Sequence, residues 1–190
     1  MSARYTRTAQ ALHWLMAALL IGLVALGLYM HGLPLSPLKL QLYSYHKWAG
    51  VTAFLLVLAR LAWRATHRPP DLPAGTSQAV RRAAQVGHRL LYALMLAVPL
   101  SGWLMSSAKG FQTVWFGVLP IPDLVAKDAV LGDLLRAVHE YLNLTLIVVA
   151  SVHVLAALKR QFVDRTAILA RMWSPRGRTA GTSLSTEYRS

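Results

Sequence analysis

The chain has 190 residues, of which 55% are hydrophobic and only 14% charged, and its mean hydropathy is +0.42. Soluble domains have about 45–50% apolar and about 25% charged residues, so this composition favours the lipid bilayer as the main solvent. The lack of cysteine excludes disulfides, cysteine-ligated iron–sulfur clusters and covalent haem attachment. A net charge of +13 is also found in nucleic-acid-binding proteins, but basic cytoplasmic loops explain it here, and we predict no nucleic-acid partner.

Four apolar stretches predict an all-α fold, a bundle of four transmembrane helices. They cover residues 9–30, 45–63, 86–106 and 134–158, and each approaches the roughly 20 residues that cross a bilayer core. Each stretch is interrupted by one or more of the residues His, Arg, Gly and Ser. Such interruptions are typical of helices that pack around a polar group. The first stretch follows Arg4 and Arg7 as a signal peptide would, but it exceeds the usual apolar length of about 7–15 residues and no small-residue cleavage site follows. We therefore expect it to be a helix of the mature protein.

The connecting segments predict the orientation. The N-terminal segment, the connection between helices two and three, and the C-terminal segment together hold fifteen Lys and Arg residues, whereas the opposite side holds five. Basic residues collect in cytoplasmic loops, so we expect both termini to be cytoplasmic. The long loop 107–132 contains Trp115 and Phe116, which suit the membrane interface. We predict one transmembrane domain over residues 1–172 and a disordered cytoplasmic tail over 173–190.

Five of the seven histidines fall within the apolar stretches, where ionisable groups are costly and usually face the bundle interior with a partner. Chain direction places them at two depths. The level nearer the predicted cytoplasmic side holds His13, His88 and His153, and the outer level holds His46 and His139. The other two, His31 and His67, lie at or beyond helix ends and are expected to be solvated.

Helix four contributes to both levels. His139 and His153 are 14 residues apart, so on a helix they share one face, offset by about 40°, and are separated by roughly 21 Å. One helix can thus offer an axial ligand to each of two stacked haems. His13 and His46 would complete two bis-histidine pairs, built between facing helices of a bundle. Such ligation leaves no open iron position and favours electron transfer.

Other residues near these levels have two interpretations. Gly50, Gly87 and Gly102 indicate either clearance for haem or ordinary helix packing, with equal weight. Arg60, Arg64 and Arg89 fit positive-inside topology best, while Arg64 and, on the outer side, Lys47 are also candidates for contacts with haem propionates. The methionines within the helices are expected to be packing residues.

The ordered set of local motifs resembles the bacterial cytochrome b561 family, small di-haem membrane proteins, over about residues 3–172. The fragments that carry the resemblance are Tyr5-Thr6, Leu12-His13-Trp14-Leu15, Tyr45-His46-Lys47-Trp48-Ala49-Gly50, Arg60-Leu61-Ala62-Trp63-Arg64, Pro69-Pro70, Gly87-His88-Arg89-Leu90-Leu91-Tyr92, Pro99-Leu100-Ser101-Gly102, His139-Glu140 and His153-Val154-Leu155-Ala156-Ala157-Leu158-Lys159.

This resemblance implies a multi-pass protein of the bacterial inner membrane with two haems b that exchanges electrons with ubiquinone. By position, His13 and His153 would ligate the inner haem, and His46 and His139 the outer one. His88 matches a family histidine that either replaces His13 as ligand or lies near a quinone. Some relatives also oxidise superoxide at the outer face, so the resemblance extends to superoxide:ubiquinone oxidoreductases. Where some relatives have a histidine just after the Ala-Leu-Lys stretch of helix four, this chain has Arg160.

Two other functions compete with transmembrane electron transfer from a periplasmic donor. The chain would serve as a haem-bearing anchor subunit if a larger dehydrogenase docked on it. A haem-free transporter would use the histidine clusters for its cargo, but the apolar stretches hold a single acidic residue, Glu140 near the outer end of the fourth, and show no inverted repeat, which counts against it.

Overall fold

The protein is described by a computed structural model for residues 4–70, 75–166 and 168–173. The predicted tail lies outside the described residues from position 174 onward. The fold consists of four long helices, a small hairpin between the third and the fourth, and one short helix after the fourth. They are α1 (Arg7–His31), α2 (Pro37–Thr66), α3 (Gln78–Ala108), β1 (Val114–Trp115), β2 (Leu119–Pro120), α4 (Ala129–Phe162) and α5 (Ala170–Trp173).

Each long helix begins at a side chain that caps it. Thr6, Ser36, Ser77 and Asp128 accept a hydrogen bond from the backbone N–H three residues further on, which satisfies one of the free donors of the first turn. Because of these caps, α2 and α3 begin well before the apolar stretches at positions 45 and 86. The apolar stretches identified the crossing segments, but the caps determine where the helices begin.

All four long helices are long and apolar enough to cross a membrane. Many of their large apolar side chains remain exposed on the protein surface, including Ile21, Leu55, Leu144 and Leu155. In lipid such residues face hydrocarbon at no cost, whereas an interior must be built by close packing. The predicted fold class, a bundle of four transmembrane helices, is confirmed.

The helices pack in chain order. The close backbone contacts are between α3 and α4, between α1 and α2, and between α2 and α3. Their shared core is a cluster to which every long helix contributes: Met16, Val57, Leu94, Met95 and Leu146. Leu146 lies midway between His139 and His153 in the sequence of α4, so this apolar layer separates the two histidine levels.

One end of the bundle, which we call the hairpin end, carries β1 and β2. The turn places both Phe116 (φ 50°) and Gly117 (φ 71°) in the left-handed region, which is uncommon for a bulky residue and ordinary for glycine. Two indoles fasten the hairpin to α2: Trp48 Nε1 donates to the Val114 carbonyl (2.6 Å), and Trp115 Nε1 donates to the Trp48 carbonyl (3.2 Å). The loop predicted over residues 107–132 is therefore ordered, and it covers this end of the bundle.

At the opposite end of the bundle, which we call the termini end, the N-terminal and C-terminal parts of the described chain contact each other. Trp14 Nε1 donates to the Met172 carbonyl (2.9 Å), and its ring meets that of Trp173 edge-on at 4.8 Å. Gln10 Nε2 donates to the Arg171 carbonyl (3.1 Å). The segment after α4 thus folds back across the start of α1, a contact that the sequence did not predict.

We expect Leu146→Ala to destabilise the bundle by about 2–5 kcal/mol, because it leaves a cavity in the layer between the histidine levels. Leu144→Ala is the matched control: it is the same substitution on the same helix, but Leu144 is 58% exposed whereas Leu146 is 4% exposed. Thermal unfolding of both variants in one detergent measures the difference. Equal losses of melting temperature would contradict the placement of Leu146 in the core.

Candidate functional site

The hairpin end of the bundle interior holds one histidine pair. His46 on α2 and His139 on α4 face each other with ring centroids 6.4 Å apart and planes at 83°. Two imidazoles that bind one metal ion from opposite sides have centroids roughly 6–6.5 Å apart, because each nitrogen lies about 2 Å from the metal and each centroid about 1.1 Å further back. The pair is therefore spaced as two axial ligands would be.

Hydrogen bonds fix the protonation of the His139 ring. Its Nδ1 lies 3.0 Å from the Val98 carbonyl oxygen and 2.9 Å from Ser101 Oγ, while Ser101 Oγ donates its own hydrogen to the Val98 carbonyl at 2.7 Å. A carbonyl can only accept, and the hydroxyl hydrogen is already used, so the imidazole proton belongs on Nδ1. Nε2 then carries the lone pair that a metal needs. This arrangement is the usual support of a metal-binding histidine.

Val98 and Ser101 were not predicted from the sequence as parts of the site. The available signal was a serine two residues after Pro99 within an apolar helix. A proline interrupts the hydrogen bonding of the helix around it, and Ser101 is 5% exposed, so it needs a partner in the interior. The sequence could suggest this need, but it could not identify His139 as the partner.

Small residues lie against both rings of this pair. A Cβ added at Gly102 would come within 3.0 Å of His139 Cε1, and one at Gly27 within 3.4 Å of His46 Cε1. Gly102 was among the glycines considered from the sequence, whereas Gly27 was missed. Gly50 and Gly87 have nothing within 4 Å of an added Cβ, so they do not border an imidazole.

The termini end of the interior brings three histidines together. The rings of His88 on α3 and His153 on α4 are 5.3 Å apart at 64°. His13 on α1 interacts electrostatically with both, and its ring contact is with Trp14. A spacing of 5.3 Å is shorter than the roughly 6 Å at which two imidazoles share a metal. It reflects the close packing of α3 against α4.

Two buried histidine nitrogens have no hydrogen-bond partner among the described residues. These are Nδ1 of His13 and Nδ1 of His46. Buried polar atoms are normally hydrogen-bonded, so these positions indicate sites where something other than the described residues interacts with the ring.

The candidate propionate contacts lie at opposite ends. Arg64 rests over the Tyr92 ring at 5.7 Å, as Arg60 does at 5.6 Å, both at the termini end. Lys47 at the hairpin end donates from Nζ to the Phe111 carbonyl at 2.9 Å, so its ammonium already has one acceptor. His31 and His67 are exposed at the ends of α1 and α2, as predicted.

This donor set fits a metal held in a macrocycle. Among residues 4–70, 75–166 and 168–173, no three His, Asp or Glu side chains converge as ligands for a bare metal ion. Two facing imidazoles supply only two ligands, whereas a porphyrin brings four nitrogens of its own. Fold and site together define a class: a multi-pass helical membrane protein with paired interior histidines, suited to haem.

Comparison with known proteins gives the family. The family model of prokaryotic cytochrome b561 matches residues 4–175. Cytochrome b561 homolog 2 of Escherichia coli is 32% identical over 177 residues, which cover 89% of this chain and 90% of the relative. The protein named probable superoxide oxidase CybB of Yersinia pestis is 25% identical over 172 residues, 90% of this chain and 97% of the relative. Cytochrome b561 homolog 1 of Escherichia coli is 26% identical over 174 residues, which cover 89% of this chain and 96% of the relative.

The chain belongs to the prokaryotic cytochrome b561 family. It is therefore a multi-pass protein of the bacterial inner membrane that takes part in electron transfer, and haem b is the cofactor that its family implies. The resemblance inferred from the sequence motifs is confirmed.

Proposed function

We propose that the chain holds two haems b and carries electrons from a periplasmic donor to ubiquinone. His46 and His139 would hold the haem nearer the hairpin end, and His13 and His153 the one nearer the termini end. The 6.4 Å spacing of His46 and His139 is the observation that carries the proposal. Haem b, when bound, supplies one-electron redox chemistry at a fully ligated iron.

Helix packing supports this choice of pairs. The proposed ligands lie on α1 and α4 and on α2 and α4, and neither combination is among the helix pairs in close backbone contact. A flat macrocycle needs such a separation between the helices that grip it. His88 lies on α3, which packs tightly against α4, and its ring is too near His153 for a shared metal. We therefore favour His13 as the second inner ligand and keep His88 as the alternative ligand or quinone contact.

The chain's own residues would prepare these sites. Val98 and Ser101 hold His139 in the Nδ1-protonated form, with Nε2 available, and Gly102 and Gly27 allow close approach to the rings. Arg64 at the termini end and Lys47 at the hairpin end are the cations we propose for haem propionates. The basic termini end would be cytoplasmic, in agreement with positive-inside topology.

Superoxide is the donor we propose at the hairpin end. Overall, two superoxide anions each lose one electron and leave as oxygen, while ubiquinone takes up two electrons and two protons. The Yersinia relative carries the name of a superoxide oxidase, which supports the choice. At that end Lys109 is paired with Asp133 at 3.0 Å, so Lys47 and Lys127 are the better candidates for attracting the anion.

Replacing either ligand of a pair is expected to remove one haem. His46→Ala and His139→Ala should each reduce the haem content from about two to about one per chain, because a single imidazole leaves the iron without its opposite ligand. His67→Ala, an exposed histidine of α2, is the control and should keep both haems. Pyridine haemochrome assay of the purified variants measures the ratio.

The inner pair has its own test. We expect His13→Ala to lose one haem and His88→Ala to retain both, as judged by the same assay and by redox-titrated spectra. The opposite result, loss in His88→Ala and retention in His13→Ala, would assign the inner site to His88 and His153.

Ser101→Ala should raise the midpoint potential of the outer haem. Removing an acceptor from Nδ1–H makes the imidazole a weaker donor and stabilises ferric iron less. We expect the midpoint potential to rise by tens of millivolts. A tenfold change in the equilibrium constant between ferric and ferrous iron corresponds to about 59 mV for one electron. Ser106→Ala is the control: that buried serine of the same helix donates to the Phe111 carbonyl instead. An unchanged potential in Ser101→Ala would contradict its role as a positioning residue.

Superoxide supplied to the purified protein with ubiquinone should reduce the haems within the mixing time and produce ubiquinol in proportion. Added superoxide dismutase should abolish both signals. Haem spectra that stay oxidised while a chemical reductant still reduces them would reject superoxide as the donor and leave the haem sites intact.

A further inference from the structure

A pocket at the termini end is lined by several arginines. It has a volume of about 70 Å³, and its lining includes Arg4, Arg60, Arg64 and Arg68. Among the described residues that line it there is no Asp or Glu, and the ion pairs within the described part of the chain are elsewhere, at Lys109–Asp133 and Lys159–Asp164. Four positive charges thus converge on a small space, and the described residues around it supply no carboxylate.

Specific contacts build this pocket. Thr6 Oγ1 caps α1 by accepting from Ala9 N–H (3.2 Å) and also accepts from Trp63 Nε1 (3.1 Å), which fixes the segment of Arg4 beside the end of α2. The Trp63 ring stacks on His67 at 3.8 Å and 6°. Arg60 and Arg64 are four residues apart on α2 and so lie on one face of the helix, and Arg68 follows directly after the C-cap residue His67. The convergence therefore results from the fold.

The arginine donors remain available for a ligand. Arg60 and Arg64 lie over the Tyr92 ring, and the one polar contact of Arg60 with the described residues is a 4.0 Å approach to the Met16 sulfur. A guanidinium is a planar fork of N–H donors that matches the oxygens of a phosphate. The chemistry of the pocket therefore calls for an oxyanion with several acceptor oxygens.

The size of the pocket limits the ligand. Sites for whole drug-sized molecules measure about 300–1,000 Å³, so about 70 Å³ accommodates a phosphate group and excludes a porphyrin or a quinone ring. Apolar residues complete the lining of the pocket, among them Ala9, Tyr92 and Met172, and offer a surface for acyl chains. Basic pockets between helices on the cytoplasmic side are a known way to bind anionic lipid headgroups.

We propose that this arginine pocket binds the phosphate of an anionic phospholipid from the cytoplasmic leaflet. The site rests on Arg4 and Arg68 in particular, which play no part in the proposed haem sites. Its existence does not depend on the proposed electron donor or on the assignment of the inner haem ligands.

The test uses the full-length, haem-loaded protein and native mass spectrometry with added phosphatidylglycerol or phosphatidylcholine. We expect phosphatidylglycerol to bind more tightly, and the double variant Arg4→Gln/Arg68→Gln to bind it about thirtyfold more weakly, from two lost contacts near the surface. The double variant Arg7→Gln/Arg82→Gln has the same net charge but changes arginines outside the pocket, and should stay within about twofold of wild type.

A third double variant distinguishes a specific phosphate-binding site from general electrostatic attraction to the basic surface. Arg4→Lys/Arg68→Lys keeps every charge but loses the forked donors, so a specific site predicts weaker binding of phosphatidylglycerol. Binding equal to wild type would overturn the proposal, as would equal losses in the two glutamine variants. Displacement of the lipid by an equal concentration of inorganic phosphate would show that the pocket takes free phosphate instead. Unchanged haem spectra in all three variants would show that any loss of lipid leaves the haem sites intact.

Discussion

The structure depends on how imidazoles are kept inside lipid. A histidine within a transmembrane helix must find a polar partner, since neither water nor hydrocarbon provides one there. At His139 the partners are the Val98 carbonyl and Ser101 of the neighbouring helix. These two contacts take up the ring proton at Nδ1 and leave Nε2 unprotonated. The two hydrogen bonds that satisfy the buried ring thus also set its orientation and its tautomer, and they leave the lone pair on Nε2.

The interior histidines differ in how completely the protein satisfies their ring nitrogens. The His139 ring has both of its partners within the bundle, whereas Nδ1 of His13 and of His46 has none among the described residues. The apolar layer of Met16, Val57, Leu94, Met95 and Leu146 separates the levels. Such a layer excludes water and other polar groups from the space between them, so each level has its own environment. Two cofactors of one chemical type would therefore differ in potential through burial and hydrogen bonding.

The two ends of the bundle are closed by different means. At the hairpin end, Trp48 and Trp115 exchange indole hydrogen bonds with backbone and fix the loop over α2. At the termini end, Trp14 and Trp63 bind the segment after α4 and the segment before α1. Tryptophans are enriched at membrane interfaces because their rings are apolar and their N–H groups polar. Here the same property orders the loops, and at the termini end it leaves a pocket lined by several arginines.

The sequence by itself determined the solvent, the number of helices, the depths of the histidines and the family, because hydrophobic length, periodicity and local motifs are properties of short segments. Only the tertiary structure decided which rings face each other, why His88 lies nearer to His153 than a shared metal allows, and which serine and carbonyl support His139. It also decided that residues 171–173 return to α1. These features depend on the distances between helices, and such distances follow from side-chain packing over the whole bundle, which no short segment encodes.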